Sequence, residues 1–97
     1  MSHYILSPKA KKDIIGIREY TTKRWGEKQS KHYLSNIRAK MRWLTENKEL
    51  GKNRDDIKLG YLSYPEGRHN IYYRININED IEILDVLHES MDPVRHF

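Results

Sequence analysis

The sequence predicts an α+β domain: an antiparallel helical hairpin packed on a small, mainly antiparallel sheet, with elements in the order β-α-α-β-β-β. Three observations predict it. Ile71 to Asn78 has the two-residue period of a strand and Ile81 to Leu87 the apolar density of a second, Ala10 to Leu44 carries two apolar stripes at helical spacing, and the chain of 97 residues is long enough for one modest core but not two. Residues 1–97 are therefore expected to form one domain.

Taking the elements in order, His3 to Leu6 is a short strand candidate, and Ser7-Pro8 is a helix start. A serine hydroxyl accepts a bond from a free N–H of the first turn, and a proline at the first helical position loses nothing by lacking its own. Ala10, Ile14, Ile17 and Thr21 then fall on one stripe, with Ile15 and Tyr20 beside it. The helix should end at Trp25-Gly26, where glycine can take the left-handed conformation that closes a helix. A second helix is predicted from Glu27 to Asn47, with Tyr33, Ile37, Met41 and Leu44 on its apolar stripe. So short a link makes the pair antiparallel neighbours.

Residues 48–57 have glycine and mixed charge without periodicity and read as a loop. Lys58 to Tyr64 resumes a β pattern, and Pro65-Glu66-Gly67 is a turn signal. Ile71, Tyr73, Ile75 and Ile77 then alternate with Tyr72, Arg74, Asn76 and Asn78, and Asn78-Glu79-Asp80 turns the chain back. In the last strand Ile81, Ile83, Leu84, Val86 and Leu87 are too dense for alternation, which predicts a central strand buried on both faces.

Composition narrows the class. The absence of cysteine excludes a disulfide staple and a thiolate metal site, and fits a reducing cytoplasm. No apolar run approaches the roughly 18 residues of a membrane span, and the N-terminus lacks a signal-peptide apolar region. A soluble, cytoplasmic protein is expected. The net charge of +4 is uneven: residues 1–54 carry 14 Lys/Arg against 5 Asp/Glu, and residues 55–97 carry 4 against 9. The basic half suits either a solvated helical face or attraction of nucleic acid or an acidic protein.

No glycine-rich phosphate loop, cysteine nucleophile or paired-histidine metal motif occurs, and no cofactor or metal is expected. Of the scattered histidines only His88, after a buried strand and before Glu89, looks placed. It could act as an acid or base, or bond to the backbone and fix the tail. Ser90 has no base at defined spacing.

The pattern A-x-x-D-I-x-x-I-x-x-Y at Ala10, Asp13, Ile14, Ile17 and Tyr20, the Trp25-Gly26 pair, the YYRI strand and the L-H-x-x-M-D segment at Leu87, His88, Met91 and Asp92 together resemble the ParE branch of the RelE/ParE toxin superfamily. The similarity covers nearly the whole chain, and the fold it implies is the one derived above.

The resemblance implies a toxin of a type II toxin–antitoxin system, with two biochemical options. RelE-like members are ribosome-dependent messenger-RNA endonucleases with sheet lysines and arginines and a tyrosine near the C-terminus. Here Gly60-Tyr61-Leu62-Ser63-Tyr64 stands where the lysines would be, with Asn70, Met91 and Arg95 near the places of two arginines and the tyrosine. A slip in register would put Lys58, Arg68, His69, Arg95 and His96 forward as the nuclease set. ParE-like members instead poison DNA gyrase and need no hydrolytic centre, which is the expectation here. His88, Asp92, Arg95 and Phe97 are the candidate target contacts, although Phe97 could equally fold back onto the sheet. The implied partners are gyrase and a cognate antitoxin with a segment that folds on binding. The third reading, a basic nucleic-acid-binding module, has the basic half in its favour but no aromatic platform or recognition helix, so tight direct nucleic-acid binding is not expected.

Overall fold

The computed structural model describes residues 3–97, so the first two positions of the expected domain lie outside the described residues. In chain order the elements are β1 (Tyr4–Leu6), α1 (Pro8–Trp25), α2 (Glu27–Glu46), β2 (Lys52–Asn53), β3 (Leu62–Glu66), β4 (His69–Ile75), β5 (Ile81–His88) and α3 (Pro93–His96), with one 3-10 turn at Lys48–Leu50. The strands form one sheet in the order β1-β5-β4-β3-β2. β1 runs parallel to β5, and the other neighbours are antiparallel.

The expected architecture is present, and β5 is interior to the sheet. Ile71 and Tyr73 of β4 and Ile81, Ile83 and Val86 of β5 meet Ala10 and Ile17 of α1 and Leu34, Ile37, Met41 and Leu44 of α2 in one core. Both Ile83 and Val86 reach it because the register passes from Tyr72 opposite Asp85 to Tyr73 opposite Ile83. Leu84 is the extra residue of a bulge, which resets the alternation.

The start of α1 is fastened to this strand. Ser7 caps the helix by accepting from the Ala10 N–H at 3.0 Å, while its own hydroxyl donates to the Leu84 carbonyl at 2.9 Å and its N–H to the Ile83 carbonyl at 3.0 Å. β1 ends opposite Ile83, so α1 takes over the β5 edge beyond it: Asp13 Oδ2 accepts the Val86 N–H at 3.0 Å. At the hairpin elbow, Gly26 has φ 90° and ψ 168°. That is the extended mirror region open to glycine, not the predicted left-handed helical one. Its N–H closes α1 on Thr22 and its carbonyl opens α2 to Ser30.

Several boundaries differ from expectation. Ile77, assigned to the buried face, is 97% exposed, because β4 stops at Ile75 and Ile77 sits in the turn. The Asn76 side-chain oxygen accepts the N–H groups of Asn78 and Asp80, and Glu79 adopts φ 64°. This side-chain-bonded turn competes with the ladder and ends it. Tyr72, assigned to the polar face, is buried, so β4 is covered on both sides. Ile15 and Tyr20 are exposed, whereas Leu34, absent from the predicted stripe, is in the core. The 48–57 loop contains the 3-10 turn and β2. β3 begins at Leu62 rather than Lys58, and Pro65 and Glu66 remain within it, leaving Gly67, at φ 58°, to make the turn. Proline is tolerated there because β2 reaches only Leu62 and Ser63, so the rest of β3 is an edge.

Candidate functional site

Two groups of side chains lie outside the core, one on each face of the sheet. The first covers the face away from the hairpin. Tyr72 is its centre: Phe97 packs edge-on at 5.4 Å between ring centroids, and the Arg54 guanidinium lies 5.7 Å from the ring. Phe97 also meets Tyr61 at 5.3 Å. The Asp56 carboxylate, bonded to Arg54 through two nitrogens at 2.9 Å, raises the Arg54 pKa and is itself held below the usual carboxylate range.

Paired with Tyr72 on the neighbouring strand, and on the same face, is Asp85, which is fully buried. Its Oδ1 accepts the Val86 N–H at 3.1 Å. Its Oδ2 has no aligned hydrogen-bond partner, yet Lys9 Nζ stands 3.0 Å away. Charge attraction at that range does not require alignment, so the carboxylate is paired rather than orphaned. Lys9 also donates to the His96 carbonyl and lies 4.8 Å from the centre of the Phe97 ring. One cation from the first turn of α1 thus neutralises the buried acid and holds the C-terminal segment down.

That segment is short and solvent-facing. Asp92 caps α3 by accepting the Val94 N–H at 3.0 Å. Met91 and Val94 are exposed, and the Arg95 side chain is 86% exposed, reaching Asp92 only at 3.9 Å.

The second group stands at the far end of β4 and β5, on the hairpin side. His69 and His88 are directly opposite in register, with ring centroids 5.3 Å apart. Tyr33 of α2 places its hydroxyl 2.6 Å from His69 Nδ1 and accepts the Arg68 N–H at 3.0 Å. His88 Nδ1 accepts the Ser90 N–H at 3.1 Å and lies 2.7 Å from the Ser90 hydroxyl. Burial, helped by nearby His88 and opposed by Glu89, pushes the His69 pKa down to about 4, so its imidazole is neutral at ordinary pH. Burial also raises the Tyr33 phenol, against the lowering bond from Arg68.

The predicted residues are therefore divided. Among the candidate target contacts, Asp92 and Arg95 face solvent, Phe97 packs on Tyr61 and Tyr72, and His88 belongs to the other face with His69. Among the nuclease set, Arg68 and His69 are adjacent, Arg95 and His96 sit in α3 on the opposite face, and Lys58 lies in the turn before β3. Sequence reasoning passed over Lys9, Asp85 and Tyr33. The His69–His88 pairing had a signal, because the two residues lie equally far from the Asn78–Glu79 turn. Among the described residues, no cluster of three or more His, Asp or Glu is placed to hold a metal, and no helix is long and apolar enough to cross a membrane.

Comparison with known proteins bears on the whole of this framework. The family model described as ParE toxin of type II toxin-antitoxin system, parDE, matches residues 4–93. Toxin ParE1 of Caulobacter vibrioides is 32% identical over 96 residues, covering 99% of this chain and 98% of the relative. Toxin ParE1 of Mycobacterium tuberculosis is 33% identical over 95 residues, covering 98% and 97%. A solved structure of the chromosomal ParDE system of P. aeruginosa superposes with a TM-score of 0.77 at 17% identity, over 91% of this chain and 96% of that one, and so shares the fold. With the family model spanning both faces of the sheet and the hairpin above it, the chain belongs to the ParE toxins of type II toxin–antitoxin systems.

Proposed function

We propose that this ParE-family toxin inhibits DNA gyrase by protein–protein contact, trapping the enzyme on cleaved DNA, and has no hydrolytic centre of its own. The observation that carries the reading is the family match across residues 4–93, from β1 to the start of α3. The division of the candidate nuclease residues between opposite faces supports it. Cleavage of RNA by its own 2′-hydroxyl needs a base and phosphate-stabilising cations around one reacting centre. Arg68 with His69 and Arg95 with His96 do not share one.

In this reading the target contact is the C-terminal segment. Arg95, Met91 and Val94 offer a cation beside apolar side chains, residue types suited to a contact surface, while Phe97 and Lys9 hold the segment in place. A cognate antitoxin, acting in the same cytoplasm, neutralises the toxin through a segment that orders as it binds. The basic hairpin offers that segment charge attraction.

The test uses purified toxin freed of antitoxin. It should inhibit gyrase supercoiling and raise gyrase-linked cleaved DNA while leaving ribosome-bound messenger RNA intact. Arg95→Glu should weaken inhibition by about tenfold or more, as expected for loss of a central interface cation, with an unchanged urea midpoint. Removal of Arg95 to Phe97 should weaken it at least as far in a domain that still folds. Codon-linked RNA cleavage without any effect on gyrase would overturn the proposal in favour of the Arg68–His69 end of the sheet.

A further inference from the structure

Between the elbow of the helical hairpin and the end of β4 and β5 lies a cleft of about 410 Å³. This is within the usual range for small-molecule sites. His69 and His88 line it together with Arg24 and Arg68, and Tyr20 and Trp25 contribute aromatic surface. His88 is among the sequence-predicted target contacts, but the gyrase contact proposed above lies on the opposite face, in the C-terminal segment.

The hydrogen bonds around the two imidazoles fix what each ring offers. The backbone N–H of Ser90 donates to His88 Nδ1, so that nitrogen carries no proton and the ring's N–H is at Nε2. The Tyr33 oxygen already accepts the Arg68 N–H, and its own proton has one acceptor among its contacts, His69 Nδ1. His69 therefore also carries its proton at Nε2. Its pKa, lowered to about 4 by burial, keeps it a neutral donor. Both rings have spent their acceptor nitrogen within the protein and retain a donor. Arg24 and Arg68 line the same cleft. Of the nearby carboxylates, Glu89 is held by Arg68 Nη1 at 3.3 Å on the exposed rim, and Glu66, opposite His69 in register, faces Lys40 Nζ at 4.0 Å.

A site with donors and cations in excess of acceptors selects an anion, and guanidinium forks match phosphate oxygens in particular. The aromatic wall adds a second requirement. Tyr20 and Trp25 are 59% and 52% exposed, with their rings edge-to-face at 6.3 Å. Such exposed faces at the rim of an anion site fit a flat ring joined to the phosphate, because nucleobases stack on aromatic side chains without regard to sequence.

We propose that this cleft binds a nucleoside phosphate, with the phosphoryl group on Arg24, Arg68 and the imidazole N–H donors, and the base against Trp25. Glu89 is the intrinsic competitor, since it occupies Arg68 and repels the incoming anion.

The experiment is calorimetric titration of antitoxin-free toxin with 5′-AMP, adenosine and inorganic phosphate, paired with amide chemical-shift mapping. Saturable binding of 5′-AMP is expected, with shifts centred on residues 24–25, 68–69 and 88–90. Adenosine and phosphate should each bind about tenfold more weakly or worse, because each retains only one of the two recognition elements. Arg24→Gln and Trp25→Ala, both at exposed positions, should each lower affinity for 5′-AMP by about fivefold or more, and Glu89→Gln should raise it. Urea midpoints of the variants check that the fold survives. Absence of saturation, shifts elsewhere, phosphate binding as well as 5′-AMP, or affinity insensitive to Arg24 and Trp25 would each overturn the proposal. Gyrase inhibition is scored separately with the same variants, so failure here leaves the target reading standing.

Discussion

His69 holds two neighbours in place at once: its Nδ1 meets the Tyr33 hydroxyl and its ring packs across the strands on His88. A proton at Nδ1 would end the bond that Tyr33 donates to it, and the buried charge would burden the packing on His88. Burial is the main reason that its folded pKa falls to about 4, below the free value of 6.5. The unfolded chain consequently takes up a proton that the folded chain refuses. His69 contributes its full share of stability above about pH 6.5; that share shrinks as the pH falls and is gone below about pH 4. Replacing it with Asn, which can still accept from Tyr33, should flatten the acid limb. Urea midpoints of wild type and His69→Asn should converge between about pH 7 and pH 4. Parallel curves across that interval would show that His69 does not set the acid sensitivity.

Among the elements, the short turn before β2 is the most closely constrained. A Cβ on Gly51 would lie 2.2 Å from the Tyr73 hydroxyl, which donates to the Lys48 carbonyl at 2.7 Å. Tyr73 is fully buried and cannot swing aside. Gly51→Ala should cost about 1–3 kcal/mol by overpacking. Tyr73→Phe should cost about 1 kcal/mol, the usual value of a hydrogen bond. Because the two changes meet at one oxygen, a double-mutant cycle by urea unfolding should show coupling of about 0.5 kcal/mol or more. Additive costs would place the strain elsewhere. The sequence announced neither the turn nor β2, because two strand residues give no period to read. The hairpin was legible, since eighteen- and twenty-residue helices repeat their stripe several times. So was the density of β5, although not the bulge at Leu84 that explains it. The site was harder to read. Tyr33 has the spacing of a core residue, and its role depends on a hydroxyl whose partner is 36 positions away in the chain. Lys9 looks like any helix-surface lysine until Asp85 and the His96 carbonyl are brought beside it.

The whole molecule is closed by its ends. The first strand pairs in parallel with the last, the helix cap at Ser7 bonds to Ile83 and Leu84, and Lys9 reaches both Asp85 and the chain's final turn. The hairpin's own contacts are local, but the sheet it packs on depends on long-range pairing, and pairing of this kind slows folding. During synthesis, the helices leave the ribosome well before their floor exists. Ribosome-bound chains stopped after Asp80, with residues 1–80 outside the tunnel through an appended linker, should be cut readily by protease within α1 and α2. Chains extended to Phe97 should resist under the same conditions. Equal resistance would mean that the hairpin with β2 to β4 is already a stable unit. The parallel β1–β5 pairing should thus act as a timer: the first strand of this toxin waits for β5 before the sheet beneath the hairpin can close.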